Sequence, residues 1–181
     1  MTVRPPERIE RDGVVLRRPR QEDTEAIGAA VAASLEHLRP WMAWADDGAT
    51  NPARRREHQE RCDTGWDEGS DFAYLAVDPG DGRVVGAAGL HRRIGPRAIE
   101  IGYWVHADHT GRGIATRVAA ALTEAALALP DVDRVEIHCD EANVRSAAVP
   151  RRLGYRLDRI EDDDVTAPAE TGRSMIWVAE R

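Results

Sequence analysis

The sequence predicts a single α/β domain spanning residues 1–181, with a mixed, mostly antiparallel sheet of about seven strands and helices on both faces. Two observations predict it. Three extended segments in the middle of the chain are separated by short turn sequences, as in an antiparallel meander. After them the apolar period lengthens from two to about 3.6, and helical and extended segments alternate to the C-terminus, which places helices over a sheet. At 181 residues and 42% hydrophobic, the chain has the size of one domain with a sizeable core.

In chain order, residues 9–17 alternate around Asp12-Gly13 and read as two short strands of a hairpin at a sheet edge. From Asp23 to Leu38, Ala26, Ile27, Ala30, Val31, Ser34, Leu35 and Leu38 recur at helical spacing, with Asp23 or Thr24 to cap the start and Pro40 to stop it. Pro40-Trp41-Met42-Ala43-Trp44 and Asp46-Asp47-Gly48 form a loop, and its two tryptophans serve either as a pocket wall or as core anchors. Asn51 caps a charged helix that Pro52 opens and that runs to about Gly65 or Glu68. The meander is 72–77, 84–92 and 97–106, turning at 79–82 and 94–96. Ile114, Val118, Ala121, Leu122, Ala125 and Leu129 then form a helix stripe that opens at Gly111–Gly113 and ends before Pro130. A buried strand at 135–139, a helix at 143–153 and strands at 155–160 and 174–179 complete the chain.

Composition narrows the function. The formal charge of −7, from 32 acidic against 25 basic residues, argues against nonspecific binding to nucleic acid and suits a cationic substrate. No stretch approaches the roughly 18 apolar residues of a membrane span, and the polar start gives no signal segment, so a cytoplasmic location is expected. Cys62 and Cys139 are far apart, without a CxxC partner, and read as free thiols. His106 and His109 lack a third ligand at motif spacing, so no metal site is expected.

The most informative stretch runs from Glu100 through Ile101-Gly102-Tyr103-Trp104-Val105-His106 to Thr110-Gly111-Arg112-Gly113-Ile114-Ala115-Thr116. A strand that enters a helix through glycines offers free backbone N–H groups and the positive end of the helix dipole to one point, which suits a phosphate. Arg112 and Arg117 could add charge. The Gly-Lys-Ser/Thr of a nucleotide-triphosphate loop and the third glycine of a dinucleotide fingerprint are both missing.

What remains resembles the acyl-CoA pyrophosphate loop of the GNAT acetyltransferases, with pattern Gln/Arg-x-x-Gly-x-Gly/Ala. Gly113 and Ala115 match its last two positions, and Thr110 stands where Gln or Arg is usual. Asn143-Val144-Arg145-Ser146, followed by Leu153-Gly154-Tyr155, is similar to the family's Asn-x-x-Ser/Ala helix ending in Leu-Gly-Phe/Tyr. The resemblance covers nearly the whole chain and is closest to the RimJ/RimL-type branch.

It implies a GNAT fold, acetyl-CoA as acyl donor, and the backbone of Trp104 and Val105 together with Asn143 along the pantetheine arm. His106, Arg145 and the 110–116 loop fall in the cofactor-binding set. Many family members carry a tyrosine acid seven residues after the Asn. Pro150 stands there, so Ser146 is the expected substitute. Pro150 also removes the N–H that would meet the Ser146 carbonyl, which predicts a kink or a late helix start. Glu100 is the expected route for the acceptor's proton, directly or through water. Trp41, Trp44 and Tyr103 are expected at the acceptor, with the charged helix 52–68 shaping its pocket. The implied acceptor is the α-amine of a protein N-terminus. A small amine such as an antibiotic or polyamine, and a CoA-binding regulator without turnover, are the alternatives, and a homodimer is left open.

Overall fold

A computed structural model describes residues 3–181. The chain runs β1 (Arg8–Arg11), β2 (Val14–Arg17), α1 (Thr24–Leu38), α2 (Pro52–Glu68), β3 (Asp71–Val77), β4 (Val84–His91), β5 (Ala98–Val105), α3 (Ile114–Leu127), β6 (Arg134–Asp140), α4 (Val144–Arg152), β7 (Arg156–Asp162) and β8 (Arg173–Glu180). Eight strands form one sheet in the order β1-β2-β3-β4-β5-β6-β8-β7. The hairpin sits at the edge, with Asp12 and Gly13 both at positive φ, as a two-residue turn between twisted strands requires. Among the strand pairs only β5 with β6 is parallel, because α3 carries the chain back across the sheet between them.

Strand alternation divides the core between the two faces. Val14 and Leu16 join Phe72, Tyr74, Ile99 and Ile101 under Val118, Ala119, Leu122 and Ala126 of α3 and Ala147 and Val149 of α4. Val15, Leu75, Val77 and Val84 pack on the opposite face against Ile27, Ala30 and Val31 of α1. Each fully buried branched or aromatic side chain contributes about 1.5–3 kcal/mol of transfer free energy. The α3 stripe uses Ala126 where periodicity favoured Ala125, which is only half-buried.

The helix ends correct one detail. Asp23 occupies the N-cap position of α1, but its carboxylate accepts from the Arg17 guanidinium at 2.6 and 2.7 Å and from the Arg20 N–H at 2.7 Å, and it does not cap the helix. The Thr24 hydroxyl donates to the Gln21 carbonyl instead. Asn51 does cap α2, accepting from the N–H groups of Ala53 and Arg54. That helix is anchored by Trp66, which is fully buried, donates to the Ala73 carbonyl and meets Phe72 and Tyr74 edge-on. The strand expected at 155–160 runs on to Asp162 as β7.

Candidate active site

The site begins where two strands part. The parallel ladder between β5 and β6 pairs Ala98 with Arg134, Ile99 with Val135 and Glu100 with Glu136, and stops there. Beyond it β5 stays paired to β4 as far as Val105, and β6 to β8 as far as Asp140. Among the described residues no backbone pair joins 101–105 to β6, so that edge of β5 keeps free N–H and C=O groups. A cavity of about 200 Å³ fills the wedge, lined by Ile101, Gly102 and Tyr103 of β5, His138, Cys139 and Asp140 of β6, and Asn143 and Ser146 of α4. Trp41 and Met42 close one side, and Asp163, Glu170 and Ser174 another.

Helix α4 starts at Val144 with no delay. The Asn143 side-chain oxygen accepts from the Ser146 N–H at 3.2 Å, so Asn143 is both the helix cap and part of the cavity wall. Pro150 sits inside the helix and leaves the Ser146 carbonyl without its usual partner. The Tyr103 hydroxyl takes that place, donating to the Ser146 carbonyl at 3.2 Å and lying 3.3 Å from the Ser146 hydroxyl. Burial pushes the Tyr103 phenol well above its ordinary pKa, against the smaller opposing effect of the Ser146 bond. Burial likewise raises the Cys139 thiol to about 11, which keeps it protonated on the cavity floor.

At the other end of β5, Gly111 and Gly113 are exposed with φ of +74° and +73°, and a Cβ at either would meet nothing within 4 Å. Space is therefore open before the first turn of α3, whose N–H groups have no side-chain cap. Arg117 does not face that space. Its guanidinium donates to the carbonyls of Asp12, Arg112 and Gly113 and fastens the loop to the β1–β2 turn. His106 accepts from the Asp108 N–H and packs edge-on to His109, and the Thr110 hydroxyl donates to the Ala107 carbonyl, so these residues shape the turn before the loop. The Ile114 side chain is buried in the core, leaving its backbone at the loop, while Ala115 and Thr116 are half-buried and Arg112 and Arg145 are exposed.

Glu100, expected to carry the acceptor's proton directly or through water, lies off the cavity wall. It is 8% exposed and has both carboxylate oxygens on Arg93 at 2.7 Å. Burial works to raise its carboxyl, but the Arg93 hydrogen bond and charge outweigh it, helped by His138 and His91, and the pKa is lowered. Direct receipt of a proton does not suit that arrangement. The two tryptophans divide the alternatives: Trp41 lines the cavity, whereas Trp44 packs on Trp104, ring centroids 6.0 Å apart, beside the α1 core. Helix α2, expected to shape the pocket, contributes no residue to this cavity wall, since it packs on β3 and α1. The segment between β7 and β8 supplies Asp163 and Glu170 in its stead.

The model of the Acetyltransferase (GNAT) domain family matches residues 14–156, which includes the hairpin's second strand, the split, the loop and α4. The chain belongs to the GNAT acetyltransferase family. YdaF of Bacillus subtilis (strain 168), whose name proposes a ribosomal N-acetyltransferase, is 27% identical over 148 residues, 78% of this chain and 77% of that protein. Among solved structures, RimL, a ribosomal L7/L12 alpha-N-protein acetyltransferase in complex with coenzyme A, superposes with a TM-score of 0.86 at 21% identity, covering 96% of this chain and 98% of that chain. Mycobacterium smegmatis RimJ in complex with CoA-disulfide gives 0.81 at 22% identity, covering 92% and 81%. These likenesses establish the GNAT fold.

Of the residues that the sequence of this GNAT protein singles out, Trp41, Tyr103, Asn143 and Ser146 line the cavity, whereas His138, Asp140, Asp163 and Glu170 line it without having been singled out. The signal for His138 is present: Arg134, Glu136 and His138 alternate with Val135, Ile137 and Cys139, which puts three polar side chains on one side of an otherwise buried strand.

Proposed function

We propose that the protein transfers the acetyl group of acetyl-CoA to the N-terminal α-amine of a protein, of the ribosomal-protein type, by direct attack in a ternary complex. The observation that carries the reading is the parting of β5 and β6. It offers an unpaired strand edge to an amide-containing arm and lies between a cradle of free N–H groups and a pocket.

In this reading the amides of 111–116 take the pyrophosphate, with Arg112 adding charge and His106, Thr110 and Arg145 bordering the bound cosubstrate. The backbone of Trp104 and Val105 pairs with the pantetheine arm, as does the Asn143 amide group. The fit is physical: the glycines leave open space where a phosphate must approach, and a side chain at either would project into it. Ser146, tied to Tyr103, gives a proton to the departing thiolate. Trp41 faces the acceptor. Carboxylates of Asp140, Asp163 and Glu170 on the wall, with no lysine or arginine among the lining residues, favour a cationic acceptor. The names of YdaF and RimL support a protein N-terminus. The same acidic wall suits a polyamine, which is the second reading.

The test is thermal unfolding with and without acetyl-CoA, followed by thiol release against N-terminal peptides and polyamines. At a hundredfold excess over Kd the ligand adds about 2.7 kcal/mol, a rise of roughly 5–11 °C for a domain of this size. We expect that rise with acetyl-CoA and not with ATP, and release with peptides. No rise refutes the cosubstrate assignment; release with polyamines alone refutes the acceptor.

A further inference from the structure

We propose that His138, oriented by Glu136, takes the proton from the attacking amine. The proposal rests on the acetyl-transfer reading above and replaces Glu100 in that role.

Three observations carry it. His138 is half-buried on β6 and lines the same cavity as Ser146. Its Nε2 lies 2.5 Å from a carboxylate oxygen of Glu136, a residue 5% exposed. The other oxygen of Glu136 accepts from the Arg134 guanidinium at 2.6 Å, and Arg134 is itself held by Asp158. A guanidinium only donates, so Glu136 is the acceptor in both contacts and Nε2 carries the hydrogen. The lone pair of the neutral ring is thereby fixed on Nδ1, which has no hydrogen-bond partner among the described residues. A carboxylate behind an imidazole sets its tautomer and stabilises the imidazolium that forms when the ring accepts a proton. Glu100, the register partner of Glu136 across the ladder, does not line the cavity and is held by Arg93 on both of its oxygens.

The step balances. The amine lone pair forms the C–N bond at the thioester carbonyl carbon, and the carbonyl π pair moves to oxygen. The nitrogen, now positive, passes a proton to Nδ1 of His138. The oxygen pair then returns, the C–S bond breaks, and the leaving thiolate takes a proton from the Ser146 hydroxyl. Water afterwards removes one proton from His138 and returns one to Ser146, leaving amide and CoA thiol. Charged groups around the ring are Glu136, Arg134 and Asp140 on its own strand, Glu100 with Arg93 from β5, Arg159 of β7 near Glu136, and Asp163 and Glu170 on the cavity wall. Ile176, opposite His138 on β8, brings no charge.

The experiment uses the full chain and two variants, His138→Gln and Glu136→Gln, with three readouts. The rise in unfolding midpoint caused by acetyl-CoA should be retained in both. The kcat/KM for the acceptor should fall about 10²–10⁴-fold in His138→Gln, the usual range for a lost proton-transfer group. In Glu136→Gln the fall should be smaller, because the ring stays and only the carboxylate that orients it is lost. Nitrogen-15 NMR of histidine-labelled protein, with His138 assigned from its variant, should show the Nε2–H tautomer at neutral pH. A His138→Gln rate within threefold of the parent, a Glu136→Gln rate equal to the parent's, or an Nδ1–H tautomer overturns the proposal. If acetyl-CoA binds but no acceptor is acetylated by the parent, the acceptor reading fails, and the tautomer decides the His138–Glu136 pair by itself.

Discussion

Tyr103→Phe isolates one hydroxyl with two partners. Pro150 has no N–H, so within α4 the Ser146 carbonyl lacks the donor four residues on, and the Tyr103 hydroxyl serves it at 3.2 Å. A buried acceptor left unmet costs about 1–3 kcal/mol. Tyr103 and Ser146 are both half-buried rather than sealed, so the lower part applies, about 1–2 kcal/mol. For a chain of this length that lowers the unfolding midpoint by roughly 2–8 °C. The assay is urea and thermal unfolding of Tyr103→Phe, Pro150→Ala and the double variant. Ala at 150 restores an N–H to the Ser146 carbonyl, so Tyr103→Phe should cost less in that background, with a coupling of about 0.5 kcal/mol or more. A loss below about 0.5 kcal/mol in the single variant, or additive losses in the double, would refute the compensation of Pro150 by Tyr103.

Gly113→Val should abolish the acetyl-CoA-induced midpoint rise, because a β-branched residue does not tolerate φ of +73° and its side chain would enter the phosphate space; a full rise in the variant would misplace the loop. Trp41→Ala should raise the acceptor KM about tenfold, equivalent to 1.4 kcal/mol, with acetyl-CoA affinity unchanged, whereas Trp44→Ala should cost about 2–3 kcal/mol of stability, somewhat under the fully buried range; equal effects on acceptor KM would undo the division between them. Asp23 is held below its ordinary value of 3.8 first by the Arg17 hydrogen bond, with burial opposing and the Arg20 N–H assisting. Its folded carboxyl is the stronger acid, so the stability it contributes is complete above about pH 4 and is lost as pH falls through the folded pKa. Asp23→Asn should therefore flatten the acid limb of stability measured by urea unfolding from pH 2 to 6, and cost about 1–3 kcal/mol at neutral pH; an unchanged limb would show that the pair does not govern it.

Much of the fold is legible in the sequence because its signals are local. The change from a two-residue to a 3.6-residue period after His106, the Asp12-Gly13 turn and the Asn51-Pro52 start each act within a few residues, and the elements they mark are present. The hairpin's second strand, the meander and α3 could be placed in order without knowing what they touch. Asp23 takes the N-cap position of α1 without a side-chain cap bond because Arg17, on the neighbouring strand, holds its carboxylate.

The sequence by itself determined the element order, the glycine loop at the start of α3, the Asn143–Ser146 turn and the carbonyl that Pro150 leaves unmet. Tertiary structure alone decided which side chains meet in the wedge. Arg93 and Glu100 lie seven residues apart across a turn, and their pairing depends on strand register. Likewise Glu136 and His138 read as alternating polar residues on a buried strand until β5 and β6 part after Glu100 and open one side of β6 to a cavity. The physical reason is range: periodicity and turn chemistry are set by neighbours in sequence, whereas the end of a strand ladder, and so which side chains face a cavity, is set by strands tens of positions away.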